Sequence, residues 1–465
     1  MSSPGPSPAV VVMTAESNVV KEDEEEPDIR REHEMGYHQE LYRGFSPFMS
    51  FAFCFTAVNV LTSLSISFTD ALRTGGSGVA IWSWFVGSGF TILVGLSLAE
   101  ICSVYPSAGS VYYWAGQLVP TRHAPLASFI CGWFNFIGNA SANAAFSSGF
   151  ASIVNAALIL DGKQSLSTGA QVGISIGITV VWAIQNIFRI DQQGWFNNLA
   201  AIFQITSTIS TVVVLLVMAP ERASAHDVFI STYNGTGFPF LYMCCIGILS
   251  TLFSMAGYDA GAHLAEETQN ASLAGNFAMA RDGVFPFSSS LRWIFPPTKA
   301  PLVIIALVVS IDCLLLLLQL ASTTAFAAII SIATLGFQIS YVIPIFFRCT
   351  VGRKRFPVGE FNLGRFSLPI AIVSVVWLFI TSIFMFFPST YPVTGDNMNY
   401  AIVIIGGVAL IAGTYWIVSA RHWFMGPKRD RVDSIVLPPV FIATVHCKKE
   451  ISSRNIILLD CNPCF

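Results

Sequence analysis

Residues 301–320 read PLVIIALVVSIDCLLLLLQL, a block of twenty residues that carries a single charge, Asp312. At a rise of about 1.5 Å per residue, such a helix crosses a hydrocarbon core about 30 Å thick. Similar blocks recur along the chain, in which 54% of the 465 residues are hydrophobic and 11% are charged. A soluble globular protein is about 25% charged. The composition therefore excludes a soluble enzyme, a nucleic-acid-binding protein and a secreted disulfide scaffold, and it predicts a polytopic membrane protein.

Ten candidate transmembrane helices are predicted, which makes the fold class an all-α membrane protein. The length and continuity of the apolar runs favour helices, because a barrel strand shows about ten residues of alternating polarity. The third run is too long for one perpendicular span and predicts a tilted helix or an extra turn. The ten predicted spans are 46–68, 79–101, 124–158, 169–188, 195–219, 237–260, 300–320, 323–347, 367–387 and 399–420.

The rest of the chain divides around these spans. The predicted organisation is a disordered cytoplasmic tail over 1–44, helices one to six over 45–268, a cytoplasmic loop over 269–299, four C-terminal helices over 300–421 and a second cytoplasmic tail over 422–465. The first tail is polar and acidic, which is typical of disorder. Cys461 and Cys464 stand without a second pair or a histidine cluster, so no metal site is predicted.

The distribution of basic residues orients the helices. If the N-terminus is cytoplasmic, all but three of the 24 Lys and Arg residues fall on the cytoplasmic side, as the positive-inside rule requires. The three exceptions are Arg73, Lys163 and Arg222. Both termini are therefore predicted to be cytoplasmic. The glycosylation sequon at Asn234 then lies outside, whereas those at Asn139 and Asn270 are intramembrane and cytoplasmic chance matches.

Two of the spans carry polar or flexible residues in their middles. The first contains Thr, Asn and Ser within 51–67, and the sixth reads STLFSMAGYDAGAHLAEET over 250–268. In hydrocarbon each freed backbone group costs several kcal/mol, so a broken helix persists only where it lines a cavity. Secondary transporters bind substrate at such breaks, and spans one and six are corresponding positions of a five-plus-five repeat. The simpler alternative is that hydroxyls bond carbonyls of their own helix and glycine permits close packing.

Acidic residues at membrane depth are a second signal. Asp259, His263, Glu266 and Glu267 fall at i, i+4, i+7 and i+8, on one helical face. An intramembrane acid marks a functional site by default, so we predict a pathway or gating role for this face. Insertion of an acidic residue such as Asp312 near the middle of the membrane costs about 2.5–3.5 kcal/mol. Asp312 is therefore expected to face protein, where it either makes an interhelical hydrogen bond or serves as a functional group.

The connection after span two reads LAEICSVYPSAGSVYYWAG over 98–116. Pro106 and Gly109 break the chain there. Its aromatic residues, Tyr112, Tyr113 and Trp114, are expected to anchor at the membrane interface. A plain turn between membrane helices does not need such a dense set of residues.

These features together resemble the fungal amino acid/choline permeases, including GABA permeases, of the amino acid–polyamine–organocation superfamily. The matching stretches are LAEICSVYPSAGSVYYWAG over 98–116, FSMAGYDAGAHLAEETQNAS over 253–272, AMARDGVFPFS over 278–288 and GPKRDRVDSIVLPP over 426–439. The resemblance covers about residues 40–440. It implies a LeuT-like inverted-repeat fold with twelve spans that carries amino acids, GABA, choline or related amines by alternating access.

The resemblance also implies the site residues. The substrate-binding set would be Asn59, Thr62 and Ser63 in the first span and Ser254, Ala256, Gly257 and Tyr258 in the sixth, with Asp259 beside them. The cytoplasmic gate would be Glu100, Tyr105, Pro106 and Gly109, together with the face of His263, Glu266 and Glu267. No cofactor is implied, and the expected coupling ion is a proton. The expected partners are a small amine or amino acid and the lipid bilayer, in the plasma membrane rather than the vacuole.

The substrate itself stays open at this point. The polar stretch of the first span has no glycine, and glycine-rich amides suit a substrate carboxylate better than hydroxyls do. Asp259 and Tyr258 favour a cationic head group, by charge and by ring quadrupole. Amino acids, GABA and choline therefore remain alternatives.

The chain also departs from the family in length. In the family, the segments that match AEETQNAS and AMARDGVFPFS are separated by two spans. In this chain they are separated by residues 273–277 alone. Two spans with connections are roughly 60–80 residues, at about 20 apolar residues per span. The stretch 445–465 has no family likeness either, and a splice product and a gene-model error both fit. The alternative to a secondary transporter is therefore a non-transporting truncated isoform or a sensor. An enzyme is not expected, because the HExxH motif is absent and His263 has no paired nucleophile.

Overall fold

The computed structural model describes most of the region between the two predicted tails. The described residues are 52, 55–58, 60–107, 109–188, 194–259, 279, 282, 284–286, 288–291, 293–295, 300–321, 325–354, 356–395 and 397–427. They lie in one compact unit, Glu40–Pro427. The predicted tail over 1–44 lies outside them.

Helices make up most of the described structure. The α-helices are α1 (Val60–Arg73), α2 (Gly76–Val104), α3 (Ser110–Leu118), α4 (Ala124–Leu160), α5 (Thr168–Gln185), α6 (Gly194–Met218), α7 (Ala225–Phe229), α8 (Phe240–Ser254), α9 (Ser288–Leu291), α10 (Leu302–Leu317), α11 (Ala325–Cys349), α12 (Ser367–Phe384) and α13 (Ala401–Val418). Short 3₁₀ turns cover Leu318–Leu320, Gly352–Lys354, Gly364–Phe366 and Ala420–His422. Two-residue strands, β1 (Thr74–Gly75) and β2 (Tyr233–Asn234), pair antiparallel.

Nine helices in the described ranges are long and apolar enough to span a bilayer, and together with the shorter α8 they recover the ten predicted spans. The first span was predicted to end at residue 68 but continues to Arg73, and its predicted start at residue 46 lies outside the described residues. The long third span is one helix of 37 residues, as predicted. The sixth, predicted over 237–260, is helical only over Phe240–Ser254.

Contacts between loops show which helix ends lie together at each of the two ends of the bundle. At one end of the bundle, Thr74 pairs with Asn234, so the loop after α1 meets the loop before α8. At the other end, Ser103 Oγ donates to the carbonyl of Phe361 over 3.0 Å. Loops that the charge distribution assigns to the same side of the membrane therefore meet in the structure. Which of the two groups is cytoplasmic stays a prediction.

A short helix covers the end of the bundle where β1 and β2 pair. Ser224 and Asp227 form a capping box at the start of α7, and Trp82 Nε1 donates to the carbonyl of Phe229 over 3.0 Å. The hydrogen bond from the Ser224 hydroxyl holds the pKa of the Asp227 carboxyl below its usual value. The loop before α8 is thereby fixed to α2.

The centre of the bundle is the crossing of α4 and α11. A Cβ built on Gly336 would lie 2.6 Å from the Cα of Gly138, so the two backbones touch and only glycine fits there. Pro344 interrupts α11 two turns further on and has no N–H for the carbonyl of Ser340. The thiol of Cys131, on α4, contacts that carbonyl at 3.3 Å. The same thiol also lies 3.3 Å from the carbonyl of Val111, so its single, weak S–H is shared between the two carbonyls.

Candidate functional site

The sixth span stops being helical before its predicted end, at the residues where the sequence predicted a break. α8 ends at Ser254, and residues 255–259 form a turn. Gly257 has φ +89°, in the left-handed region that glycine adopts without a steric penalty. The glycine therefore explains why the helix stops here rather than continuing to residue 260.

The break faces the first span. A Cβ built on Gly257 would have the carbonyl oxygen of Ala57 as its nearest neighbour, at 3.8 Å. Further along, the hydroxyl oxygens of Ser67 and Ser254 lie 3.5 Å apart in a buried contact. Spans one and six are therefore neighbours, as the predicted repeat required.

The first span was predicted to be unwound at Asn59, Thr62 and Ser63, and this prediction is wrong for two of these residues. Thr62 and Ser63 lie inside the regular helix α1, and Asn59 lies outside the described residues. The hydroxyls of Ser65 and Ser67 donate to the carbonyls of Leu61 and Ser63, so they support the helix instead of replacing its hydrogen bonds. Ser63 is fully buried, and its hydroxyl has no hydrogen-bond partner among the described residues.

Asp259 ends the turn and is held by the opposite helix. Its side chain is 5% exposed, and its Oδ1 accepts a hydrogen bond of 2.7 Å from the hydroxyl of Tyr341 on α11. The ring of Tyr341 lies 5.0 Å from that of Tyr258 and 5.9 Å from that of Phe337, between centroids. The buried side chain of Asp259 is thus bonded to one of three neighbouring aromatic residues.

A small cavity of about 20 Å³ lies beside these rings. Ala256 and Tyr258 of the break line one side, and α2, α11 and α12 supply the other walls. The residues from those helices are Thr91, Val94, Thr334, Phe337, Gln338, Tyr341, Trp377 and Leu378, with Leu252 of α8 completing the lining. The carboxamide oxygen of Gln338 accepts from Ser382 over 2.9 Å, which fixes its orientation. Aromatic and apolar walls with a few fixed polar groups are typical of a small-molecule site.

A second polar group, the inner cluster, lies where α2 and α11 end. We define it as Glu100, Arg348, Phe356, Leu363 and Ser367. Arg348 Nη2 lies 2.8 Å from Glu100 Oε2 and also donates to the hydroxyl of Ser367. Its guanidinium stacks 4.5 Å above the centroid of the Phe356 ring, and the N–H of Leu363 reaches Glu100 Oε1 at 3.4 Å. The cluster joins α2, α11 and α12 at one membrane surface.

The predicted gate residues fall partly in this region. Glu100 is in the inner cluster, and the ring of Tyr105 lies 6.3 Å from that of Phe356, edge to face. Pro106 and Gly109 form the turn between α2 and α3. His263, Glu266 and Glu267 lie outside the described residues.

The expected interfacial anchors after span two are a wrong prediction. Tyr112, Tyr113 and Trp114 are 1–2% exposed, so they pack inside the protein. The hydroxyl of Tyr112 donates to the Asp282 carboxylate over 3.2 Å, and Trp114 Nε1 donates to the carbonyl of Tyr105 over 2.7 Å. The O–H of Tyr112 and the N–H of Trp114 thus find partners in the bundle instead of in the headgroup layer.

Sequence reasoning missed the contribution of α11 to both sites. Thr334, Gln338, Tyr341 and Arg348 are spaced i, i+4, i+7 and i+14, which places them on one helical face. Such a polar stripe within an otherwise apolar span indicates that this face of the helix lies against protein or a cavity, and it could have been found from the sequence. It places the cavity residues and the basic residue of the inner cluster on the same helix.

Comparison with known proteins agrees with this architecture. The family model for "Amino acid permease" matches residues 45–275 and 271–408. The chain is 30% identical to Amino-acid permease BAT1 of Arabidopsis thaliana, over 85% of this chain and 95% of that protein. It is 26% identical to Amino-acid permease 2 of Neurospora crassa, over 84% and 88%. A Putative amino acid/polyamine transporter of Macrophomina phaseolina is 27% identical, over 75% and 96%.

The apolar spans, together with the family model and these relatives, define a multi-pass membrane transporter rather than an enzyme. The chain belongs to the amino acid permease family, which its matched residues cover over most of its length.

Proposed function

We propose that the substrate is an amino acid or a related amine, and that its ammonium group binds near Asp259. The observation that carries the proposal is the 2.7 Å hydrogen bond that fixes this buried carboxylate to Tyr341, beside a cavity that both Tyr341 and Tyr258 line. A carboxylate gives such a site a charge that an ammonium group neutralises. The faces of the tyrosine rings add an attraction for the same cation.

Between the open alternatives, the lining favours amino acids. The cavity itself, about 20 Å³, has room for about one water molecule, so the helices around it must separate for a substrate to enter. The side chains of Thr91, Thr334 and Gln338 offer hydrogen bonds that a carboxylate group or a polar side chain can use. Choline has one hydroxyl and no carboxylate, so it would use fewer of them. GABA fits the same groups as an amino acid and remains the closest alternative.

We propose that transport alternates access to this cavity and that the inner cluster closes it from one side. The Glu100–Arg348 pair joins three helices at the end of the bundle that the charge distribution assigns to the cytoplasm. Separating α2 from α11 there would require this pair to open. We place the protein in the plasma membrane, with both termini in the cytoplasm.

We also propose that longer relatives carry two more helices between α8 and α10. The alignment with the Arabidopsis permease runs over 490 positions, while 85% of this chain is roughly 395 residues, and the excess is enough for two spans with connections. The structure supports a place for them. Only 6% of the apolar window of α6 is buried, against 61% for α11, and no other described element packs closely along α6.

An uptake panel tests the proposed substrate. Permease-deficient cells expressing this chain receive radiolabelled neutral, basic and acidic amino acids, GABA and choline, one at a time. Asp259→Asn removes the charge and keeps the shape, and Asp161→Asn removes an exposed carboxylate from a surface pair with Lys163. We expect uptake of an amino acid by the wild type and by Asp161→Asn, and its loss in Asp259→Asn.

The panel is run in parallel on a form in which the two helices of a longer relative are restored between 272 and 278. Uptake by the longer form alone would assign transport to it and leave this chain as a non-transporting form. Equal uptake by Asp259→Asn and wild type, across all substrates, would remove Asp259 from the site.

A further inference from the structure

A second acidic residue lies deep in the bundle, away from the cavity. Asp312 is 2% exposed and is the eleventh residue of α10, about 15 Å along the helix from its start. The helix packs against α4 and α5. The sequence expectation that Asp312 faces protein is therefore confirmed.

The carboxyl group of Asp312 is only partly satisfied. The side chain of Asn143, on α4, makes a hydrogen bond to it. Its Oδ1 is buried without a hydrogen-bond partner among the described residues. A structural acid in an interhelical hydrogen bond would be expected to satisfy both of its oxygens, because a buried polar atom without a partner is costly.

No cation from the described elements around α10 faces Asp312. α5, α9 and the turn Leu318–Leu320 contain no titratable residue, and on α10 itself the only other one is Cys313. The titratable residues of the other neighbouring helices are Cys131 on α4, Tyr242, Cys244 and Cys245 at the start of α8, and Tyr341, Arg348 and Cys349 at the end of α11. α8 and α11 meet α10 through an apolar cluster that includes Phe253, Leu315 and Ile329. The one guanidinium in this set, Arg348, is engaged by Glu100.

Polar groups lead from Asp312 toward the membrane surface opposite the inner cluster. Gln319 lies seven residues further along, on the same helical face. Its Oε1 accepts from the hydroxyl of Ser148 over 3.0 Å, and its buried Nε2 has no partner among the described residues. On α5, Ser175 and Thr179 are also buried. These side chains line the interface that α4, α5 and α10 share.

We propose that the Asp312 carboxyl group is a proton-binding site that couples proton movement to transport. A carboxylate oxygen takes up one proton from the side of Gln319, which cancels a charge that no described cation compensates, and releases it in the opposite state. The inference rests on the proposed transport function for its coupling role. The proton-binding site itself can be tested without transport.

The first test measures the carboxyl group directly. Purified full-length protein in detergent is treated with dicyclohexylcarbodiimide, which modifies protonated carboxyl groups in apolar surroundings, and the modified peptides are read by mass spectrometry. We expect labelling at Asp312 that decreases as the pH rises, and none at the exposed Asp161. Absence of label at Asp312 at every pH would overturn the proposal.

The second test measures coupling in proteoliposomes. If one proton moves with each substrate, a gradient of one pH unit supports about tenfold accumulation. Asp312→Asn should reduce this to no accumulation while substrate exchange in the absence of a gradient continues, and Asp312→Glu should restore part of it. Gradient-driven accumulation by Asp312→Asn that equals the wild type would overturn the proposal. If the wild type exchanges no substrate, the transport function fails, and the labelling result alone decides whether Asp312 binds a proton.

Discussion

The guanidinium of Arg348 and the carboxylate of Glu100 form an ion pair of 2.8 Å in which the two side chains are only 7% and 1% exposed. Ion pairs on protein surfaces contribute about 0–1 kcal/mol, because water solvates both partners in either state. This pair is different, since removal of one partner leaves a buried charge alone. Its loss therefore has a larger expected effect than the loss of an exposed ion pair.

Glu100→Gln should lower the free energy of unfolding by about 3–5 kcal/mol, because it leaves the Arg348 charge buried without its counter-charge. Loss of secondary structure on heating the purified protein measures the change. The double variant Glu100→Leu with Arg348→Met should recover most of the stability, since it removes both charges. If Glu100→Gln unfolds at the same temperature as the wild type, the pair does not hold these helices together.

Tyr341→Phe should weaken substrate binding by about tenfold, because a hydrogen bond to a charged group contributes about 1.5–3 kcal/mol. The substrate found by the uptake panel is titrated against both proteins, and its Kd is compared. Tyr242→Phe is the matched control, since it removes a hydroxyl that donates to the carbonyl of Pro388 over 2.9 Å outside the cavity. Equal losses in the two variants would argue against a specific role of Tyr341.

Gly336→Ala should destabilise the bundle by about 1–3 kcal/mol, because the added methyl group meets the backbone of Gly138 at the crossing of α4 and α11. Gly173→Ala is the control. Gly173 lies inside α5 with open space around it, so alanine should stabilise the helix by up to about 1 kcal/mol. Thermal unfolding of the two variants should therefore shift in opposite directions. A shift in the same direction would place the tight contact elsewhere.

Asn234 should be the one glycosylated sequon when the protein is made in a eukaryotic secretory pathway. Its side chain is exposed, whereas Asn139 lies within α4. Glycosidase treatment should increase the electrophoretic mobility of the wild type and leave that of Asn234→Gln unchanged. Modification at Asn270 instead would invert the predicted orientation of every span.

The sequence predicted most of the helices and one of the two proposed breaks, for reasons that particular residues explain. Apolar runs such as 301–320 define spans by length alone, so α10 was predictable. Gly257 and Asp259 indicated where the helix of the sixth span ends, because a glycine and a carboxylate so close together do not suit a lipid-facing helix. In the first span, serine and threonine fit a regular helix as well as a broken one, and the pattern could not decide between them. Contacts between residues far apart in the chain, such as that of Asp259 with Tyr341, depend on how the helices pack. The local sequence around either residue does not reveal that packing.

Pro344 lies between the two functional ends of α11. The half that carries Tyr341 and the half that carries Arg348 are thus separated by a joint at which one main-chain hydrogen bond is absent. Bending at this joint costs less than bending a regular helix, and the Cys131 thiol on α4 is the group that such bending would pull away from Ser340. In the proposed transport cycle, this small thiol on the neighbouring helix would resist movement of the Tyr341 half of α11 relative to the Arg348 half.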